Sequence, residues 1–356
     1  MQLFTPLRVG DLTLKNRIFM APLTRVRADD NHVATDLIAE HYRQRASAGL
    51  NIAEATMVAG EARAFGLEPG IYSDAHAAGW KKVTDTVHAA GGNMALQLWH
   101  PGRATHQDLN HGLQPVSSSA KGIPDDTIHT PSGKQPYPTP RALRTEEIPG
   151  VVEQFRLGAV RAKAAGFDFV EVHGAHGYLI DQFLRDRVND RTDRYGGSIE
   201  NRARFLFEIL DAVSGVFGAA RVGLRLSPYT PGNGMHDSNP AALVEHVARG
   251  LQQRGVAYLH LRHVKHEAPH EVELARIAKR NFSGALIRNG GYTRESAEAD
   301  LQAGLADAIA FGLKFIANPD LPERFAQNAP LNEVDMKTLY GRDAKGYNDY
   351  PALAAR

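Results

Sequence analysis

Phe167-Asp168-Phe169-Val170-Glu171-Val172-His173-Gly174-Ala175-His176-Gly177-Tyr178 is the stretch that decides how this chain is read. Its first half is a short apolar run with aromatic and β-branched residues, the pattern of a buried strand. Its second half carries two histidines three residues apart, then a tyrosine. Glycine and alanine stand between these rings, so the backbone can turn tightly and leave them facing outward. Two imidazoles can hold an electronegative oxygen, and a phenol can release a proton. That set suits a reaction in which a carbonyl is polarised and a neighbouring carbon is protonated.

Working outward, seven further segments read as strands: Arg17–Pro22, Leu50–Thr56, Asn93–His100, Arg221–Pro228, Val256–Leu261, Gly284–Gly291 and Ala306–Gly312. Helical spacing of apolar residues predicts helices over Thr35–Ala48, Ala75–Ala90, Glu146–Ala165, Ile199–Phe217, Pro240–Arg254 and Thr293–Ala303. Gly49, Gly91, Gly166, Gly218, Gly255 and Gly304 follow as expected left-handed caps, and Thr145 and Thr293 as N-terminal starts. Alternating strands and helices imply an α/β fold with a parallel sheet and right-handed crossovers. Eight such units favour closure into a (β/α)8 TIM barrel over an open doubly wound sheet. We read residues 1–356 as a single domain. Thr24, Gln97, His100, His173, His176, Arg225 and Gly290 all fall where strands end, so a barrel gathers them on one face. Pro101 to Arg144 breaks the rhythm. It is rich in Pro, Gly, Ser and Thr and reads as a long excursion over that face after the third strand.

A formal net charge of +1 gives no electrostatic case for nucleic acid or a membrane surface as partner. With no cysteines, disulfides, thiolate nucleophiles and cysteine-ligated metals are excluded, and a cytoplasmic location fits. The first residues have no signal-peptide layout, and no apolar run approaches a membrane span. A monomer is the default expectation.

At this point a resemblance is visible along almost the whole chain. Lys15-Asn16-Arg17, Ala21-Pro22-Leu23-Thr24-Arg25, Gln97 to Arg103, His173 to Leu179, Arg191-Thr192-Asp193, Tyr195 to Arg202, Ile316 to Leu321 and Gly346-Tyr347 occur in family order. The sequence resembles the Old Yellow Enzyme family of FMN-dependent ene-reductases, in particular bacterial N-ethylmaleimide reductase-type members. The resemblance implies FMN as cofactor, NADPH or NADH as reductant, and small activated alkenes as substrates. It implies that His173 and His176 bind the activating carbonyl or nitro oxygen and that Tyr178 protonates the α-carbon. It places Thr24, Gln97 and Arg225 on the polar edge of the flavin, with Pro22 and Ala55 against its rings. Asn289, Gly290, Gly291, Gly312 and Lys314 fall to the phosphate end, and Phe65, Trp99 and Tyr340 to the substrate cavity. No metal is implied.

Three departures qualify it. The arginine that usually grips the phosphate, ahead of Ile316-Ala317-Asn318-Pro319, is Leu313 here. Leucine offers no donor, so weaker flavin retention is expected unless Lys314 or another cation compensates. A tyrosine common in the second βα loop is Phe65. The loop Arg262-His263-Val264-Lys265-His266-Glu267-Ala268-Pro269-His270 is unusually basic, and suits either an anionic ligand or plain solvation.

Blander readings compete. Arg225 on an apolar strand needs an anionic partner, and a structural salt bridge to Glu54 or Glu171 would supply one. Gln97 could be a satisfied buried amide, and Trp99 simple core. At the level of function, Leu313 motivates a flavin-poor or non-reductive relative on the same barrel, a binding protein or isomerase. His263, His266 and His270 motivate a metal-dependent hydrolase, since imidazole suits zinc.

Overall fold

A computed structural model describes residues 1–353. Eight parallel strands close into a barrel in chain order: β1 (Ile18–Met20), β2 (Asn51–Met57), β3 (Met94–Trp99), β4 (Phe169–His173), β5 (Val222–Leu226), β6 (Tyr258–Arg262), β7 (Ala285–Asn289) and β8 (Ala308–Phe311). Around it lie α1 (Asp36–Gln44), α2 (Asp74–Ala89), α3 (Ile148–Ala164), α4 (Ile199–Phe217), α5 (Pro240–Arg254), α6 (Pro269–Asn281), α7 (Arg294–Gln302) and α8 (Leu321–Gln327). The predicted barrel is therefore the observed one. Helix α6 was missed because Pro269, which suits the first turn of a helix, follows a charged loop without a hydrophobic lead-in.

Cap chemistry explains the shifted boundaries. Thr293 caps α7, its hydroxyl accepting from Ser296 N at 3.1 Å. Thr145 does not cap α3: its hydroxyl donates to Asp193, and the helix starts at Ile148. Five of the six expected glycines do adopt positive φ. Gly49 does not; a Cβ there would lie 2.2 Å from Asn16 O, so close approach rather than a left-handed turn demands glycine.

The interior is layered. An N-terminal antiparallel hairpin, Leu7–Val9 with Leu12–Leu14, closes the end where the strands begin. Its Leu7, Val9 and Leu14 pack with Phe19, Ile52 and Phe169 inside the barrel. A second, larger core fills the space between sheet and helices. Strand β2 carries a bulge: Ala53 pairs with Leu96 and Ala55 with Gln97, so Glu54 is skipped. Without that extra residue the strand's two-residue period would point Glu54 into the barrel. With it, Ala55 faces inward, and Glu54 turns away to accept a hydrogen bond from Arg25 N at 2.9 Å.

The excursion over the open face holds two small sheets, the hairpin Thr127–Thr130 with Gly133–Pro136 and the parallel pair Val116–Ser117 with Arg141–Ala142. Asp193 and Arg191 act as the clamp that ties it down. Arg191 donates to Ser118 O at 3.0 Å and to Asp193, which also receives Tyr195 N at 3.0 Å. Among the described residues no helix is long and apolar enough to cross a membrane.

Candidate active site

Strand β4 delivers His173 to the open rim, and the following loop fixes what comes next. His173 Nδ1 accepts from Ala175 N at 3.2 Å, which leaves the ring proton on Nε2. His176 sits at φ 58°, an uncommon conformation for a histidine. Two bonds hold it there: its N–H donates to Ser227 Oγ, and its carbonyl accepts from Asn233 Nδ2, both at 2.8 Å. Gly177 must be glycine, because φ is 75° and a Cβ would come within 2.7 Å of Asn233 Cβ and Met235 Cγ. Its N–H donates to Asp181, which is itself locked to Arg185 at 2.7 Å in a buried pair. Tyr178 then meets His173 edge to face at 5.0 Å and Trp99 at 5.2 Å. The three side chains singled out from the sequence thus face one another, with the two histidine rings 5.4 Å apart.

They line a cavity of about 550 Å³ with Pro22, Thr24, Ala55, Phe65, Gln97, Arg225, Asn289, Gly290, Gly291, Gly312, Lys314 and Tyr340. An outer cavity of about 950 Å³ shares Phe65, Tyr178 and Tyr340 with it. Trp99 was expected to line the substrate cavity and does not. It is fully buried behind Phe65, 5.8 Å ring to ring, and behind Tyr178, so it supports the wall rather than forming it. Tyr340 reaches the rim on a C-terminal segment that Arg25 and Arg27 grip through the carbonyls of Leu339, Thr338 and Gly346.

Beneath the cavity lies a polar layer that the sequence did not reveal. Glu171 accepts from Gln97 Nε2 at 2.7 Å and from His260 Nδ1 at 2.9 Å, all three side chains being buried. The expected alternative, a salt bridge from Arg225 to Glu54 or Glu171, is not formed. Arg225 instead donates to Asn289 Oδ1 at 3.0 Å, and its buried Nε has no partner among the described residues. Glu171 acts on it only through its field. Asn289 also donates to Ala310 O, so both ends of its side chain have a protein partner.

At the β7 and β8 ends, Gly290 has φ 139° and Gly291 φ 73°, and the Cβ direction of Gly291 opens on empty space. Such a turn presents backbone to an anion at the usual barrel location for phosphate. Arg262, read from the sequence only as the start of a basic loop, and Tyr292, not singled out there, line the same end. Arg262 has a buried Nη1 without a partner among the described residues. Its signal was available in the strand period: it follows His260 by two residues, and β6 sends both inward. The residues present therefore fit a flavin nucleotide. Guanidinium donors unpartnered among the described residues stand ready for the polar edge and the phosphate, with a glycine cradle and a cavity between them.

The histidines once considered as metal ligands are committed elsewhere. His263 bonds Glu271 and receives Arg288 Nε at 3.0 Å, His266 stacks on Tyr292 at 3.8 Å, and His270 meets Tyr229. Among the described residues no three potential ligands converge.

Burial, reinforced by the Arg225 cation, holds His173 and His176 well below the usual imidazole range, so both are neutral at pH 7. Burial likewise lowers His100 and His263 to about 4. Histidines that bind protons only after unfolding make stability fall as pH drops through 6.5. Glu54, raised to about 7 by burial, works the other way, binding its proton more readily when folded. Two histidines outweigh one carboxyl. Thermal melts are expected to show lower stability at pH 5 than at pH 7, each buried histidine contributing on the order of 2 kcal/mol. A flat profile would mean that these rings become protonated in the folded state.

A closed barrel with a donor pair beside a phenol, and a nucleotide cradle across the same mouth, defines a flavin-dependent oxidoreductase of the (β/α)8 class. Residues 2–332 match the model of the NADH:flavin oxidoreductase / NADH oxidase family. The chain belongs to that family, in its Old Yellow Enzyme group. It is 45% identical over 356 residues to a probable flavin mononucleotide-dependent alkene reductase of Leishmania infantum, covering 98% of this chain and 96% of that one. The structure of morphinone reductase in complex with tetrahydroNAD matches with a TM-score of 0.95 at 49% identity, covering 99% and 98% of the two chains. The old yellow enzyme homologue from Zymomonas mobilis gives a TM-score of 0.96 at 44% identity, covering 99% and 100%. These relatives leave the non-reductive alternative without support.

Proposed function

We propose that this enzyme reduces the C=C bond of small alkenes activated by a carbonyl or nitro group, drawing electrons from NADPH or NADH. The observation that carries the reading is the convergence of His173, His176 and Tyr178 on the mouth that also holds the glycine cradle. When bound, FMN supplies the hydride relay from the nicotinamide to the alkene β-carbon. One proton from Tyr178 at the α-carbon balances the reaction, and solvent restores it.

The chain's own residues do the rest. His173 donates from Nε2 to the activating oxygen and, with His176, stabilises the negative charge that develops there. Being neutral, both rings donate a hydrogen bond without surrendering a full proton. Burial raises the Tyr178 phenol above its ordinary range, so it keeps its proton until the carbon needs it. Gln97 gives its N–H to Glu171 and so offers its carbonyl oxygen to a ligand donor. Arg225 stabilises negative charge on the flavin's polar edge, with Thr24 beside it. Pro22 and Ala55 provide a flat, small-residue floor, and a larger side chain at 55 would obstruct it. Gly290, Gly291, Gly312, Lys314 and the Asn289 backbone face the phosphate. Phe65 and Tyr340 bound the substrate side. We further propose that the enzyme works as a cytoplasmic monomer, in keeping with its lack of cysteine.

The test begins with the visible absorption spectrum of the purified protein, followed by anaerobic turnover of cyclohexenone with NADPH. A flavin spectrum that is bleached by NADPH and regenerated by the enone is the expected result. Bleaching without regeneration would defeat the alkene assignment.

A further inference from the structure

We propose that Arg262, at the end of β6, holds the flavin phosphate in this chain and stands in for the arginine that Leu313 replaces. The inference rests on the flavin reading above and concerns only which cation this chain uses. Leu313 lies at the cavity rim, exposed and with nothing to offer a phosphate. The question is where the missing charge is made up.

Register answers it. Arg262 pairs with Asn289 across β6 and β7, so its next neighbour along the rim is Gly290. The two loops are in direct contact: His263 N donates to Asn289 O at 2.7 Å, and a Cβ on Gly290 would lie 2.3 Å from His263 O. His266 Nδ1 donates to Gly290 O at 2.8 Å and fixes the turn from the same side. Adjacent strands are separated by about 4.8 Å, a span that an extended arginine side chain crosses. An arginine at this position is long enough to reach a ligand over the glycine turn, and Arg262 and Gly291 both line the cavity.

Three other cations near this end already have partners. Arg288 is taken by Asp300, His263 Nε2 and His266 O. Arg225 is turned toward Asn289 and Pro22. Lys265 pairs with Glu267 on the outside. Among the described residues Arg262 has no such commitment: Glu271, the carboxylate whose field it feels, is bonded to His263 and Val264 N. Its buried Nη1 finds no acceptor among the described residues, a cost that a phosphate oxygen would remove. Lys314 lines the same end and adds a second, point-like charge.

The test compares FMN with riboflavin, which lacks only the phosphate. Dissociation constants are read from flavin fluorescence on diluting the flavin-loaded protein, for the parent, Arg262→Gln, Arg262→Lys, and Arg262→Gln combined with Leu313→Arg. The parent is expected to prefer FMN over riboflavin by about 100-fold or more, as charge-assisted contacts to a phosphate require. Arg262→Gln should weaken FMN by on the order of 30-fold and leave riboflavin within about twofold. Arg262→Lys should lose less, and Leu313→Arg in the Gln background should restore most of the loss. If Arg262→Gln keeps the parent's FMN-to-riboflavin ratio, the proposal is overturned; Arg262 then serves another anion or none. An equal loss of both flavins also overturns it, since the contact is then not to phosphate. A parent that binds neither flavin would overturn this proposal and the functional reading together.

Discussion

Tyr178→Phe is expected to slow reduction of an activated alkene by about 100- to 10,000-fold while leaving reduction of the bound flavin by NADPH near the parent rate. The split follows from geometry. The phenol ring is fixed edge to face against His173 and Trp99, contacts that phenylalanine keeps. What the variant loses is the O–H, and only the oxidative half of the cycle needs a proton on carbon. Flavin reduction by NADPH uses the same cavity but asks nothing of that hydroxyl. Stopped-flow bleaching by NADPH, followed by reoxidation with cyclohexenone, separates the halves. Equal losses in both would remove Tyr178 from the protonation role and leave it as a wall of the cavity.

His173→Ala and His176→Ala should each cost about 100- to 1,000-fold in alkene turnover, as loss of one preorganised donor to a developing oxyanion does. Both variants should also weaken binding of phenols, which present an oxygen to the same donors. His173 has the better-defined role, because Ala175 N fixes its tautomer. His176 depends on a strained backbone held by Ser227 and Asn233, so its variant should also be followed by thermal melting. A His173→Ala protein that binds phenols as tightly as the parent would refute the oxygen-binding assignment. Because both rings are buried and neutral, phenol binding should not show a histidine titration between pH 6 and 8.

Most of the cavity's wall could be read in the sequence because it is built from strand ends. In a parallel barrel every strand's last inward residue comes to the same rim, so Gln97, His173 and Arg225 could be grouped without knowing any distance. Gly290 and Gly291 were legible for a related reason, since two glycines after a strand mark a turn that side chains would block. Three things were not legible. Trp99 has the composition of a cavity residue, yet it lies one layer back, because Phe65 folds over it from a loop with no periodic signal. Glu54 looked like a partner for Arg225 until the β2 bulge turned it outward, and one extra residue in a ladder leaves no mark on an apolar run. The Glu171–His260 pair joins residues 89 apart in sequence and exists only because β4 and β6, the two neighbours of β5, both send a side chain into the barrel interior.

The sequence by itself determined the barrel and the end of it on which His173, His176 and Tyr178 come together. These follow from local periodicity and from residues close together in the chain, where a strand's geometry leaves little choice. Only the tertiary structure decided which charges are spent and which are available. Arg288 is fully committed, and Arg262 is not, although both stand near the ends of neighbouring strands with the same guanidinium. The difference is one of direction. Arg288 points out of the barrel into a nest of acceptors, and Arg262 lines the cavity. A side chain's face depends on register and its partners on closure, and both are properties of the folded barrel rather than of any segment of the chain.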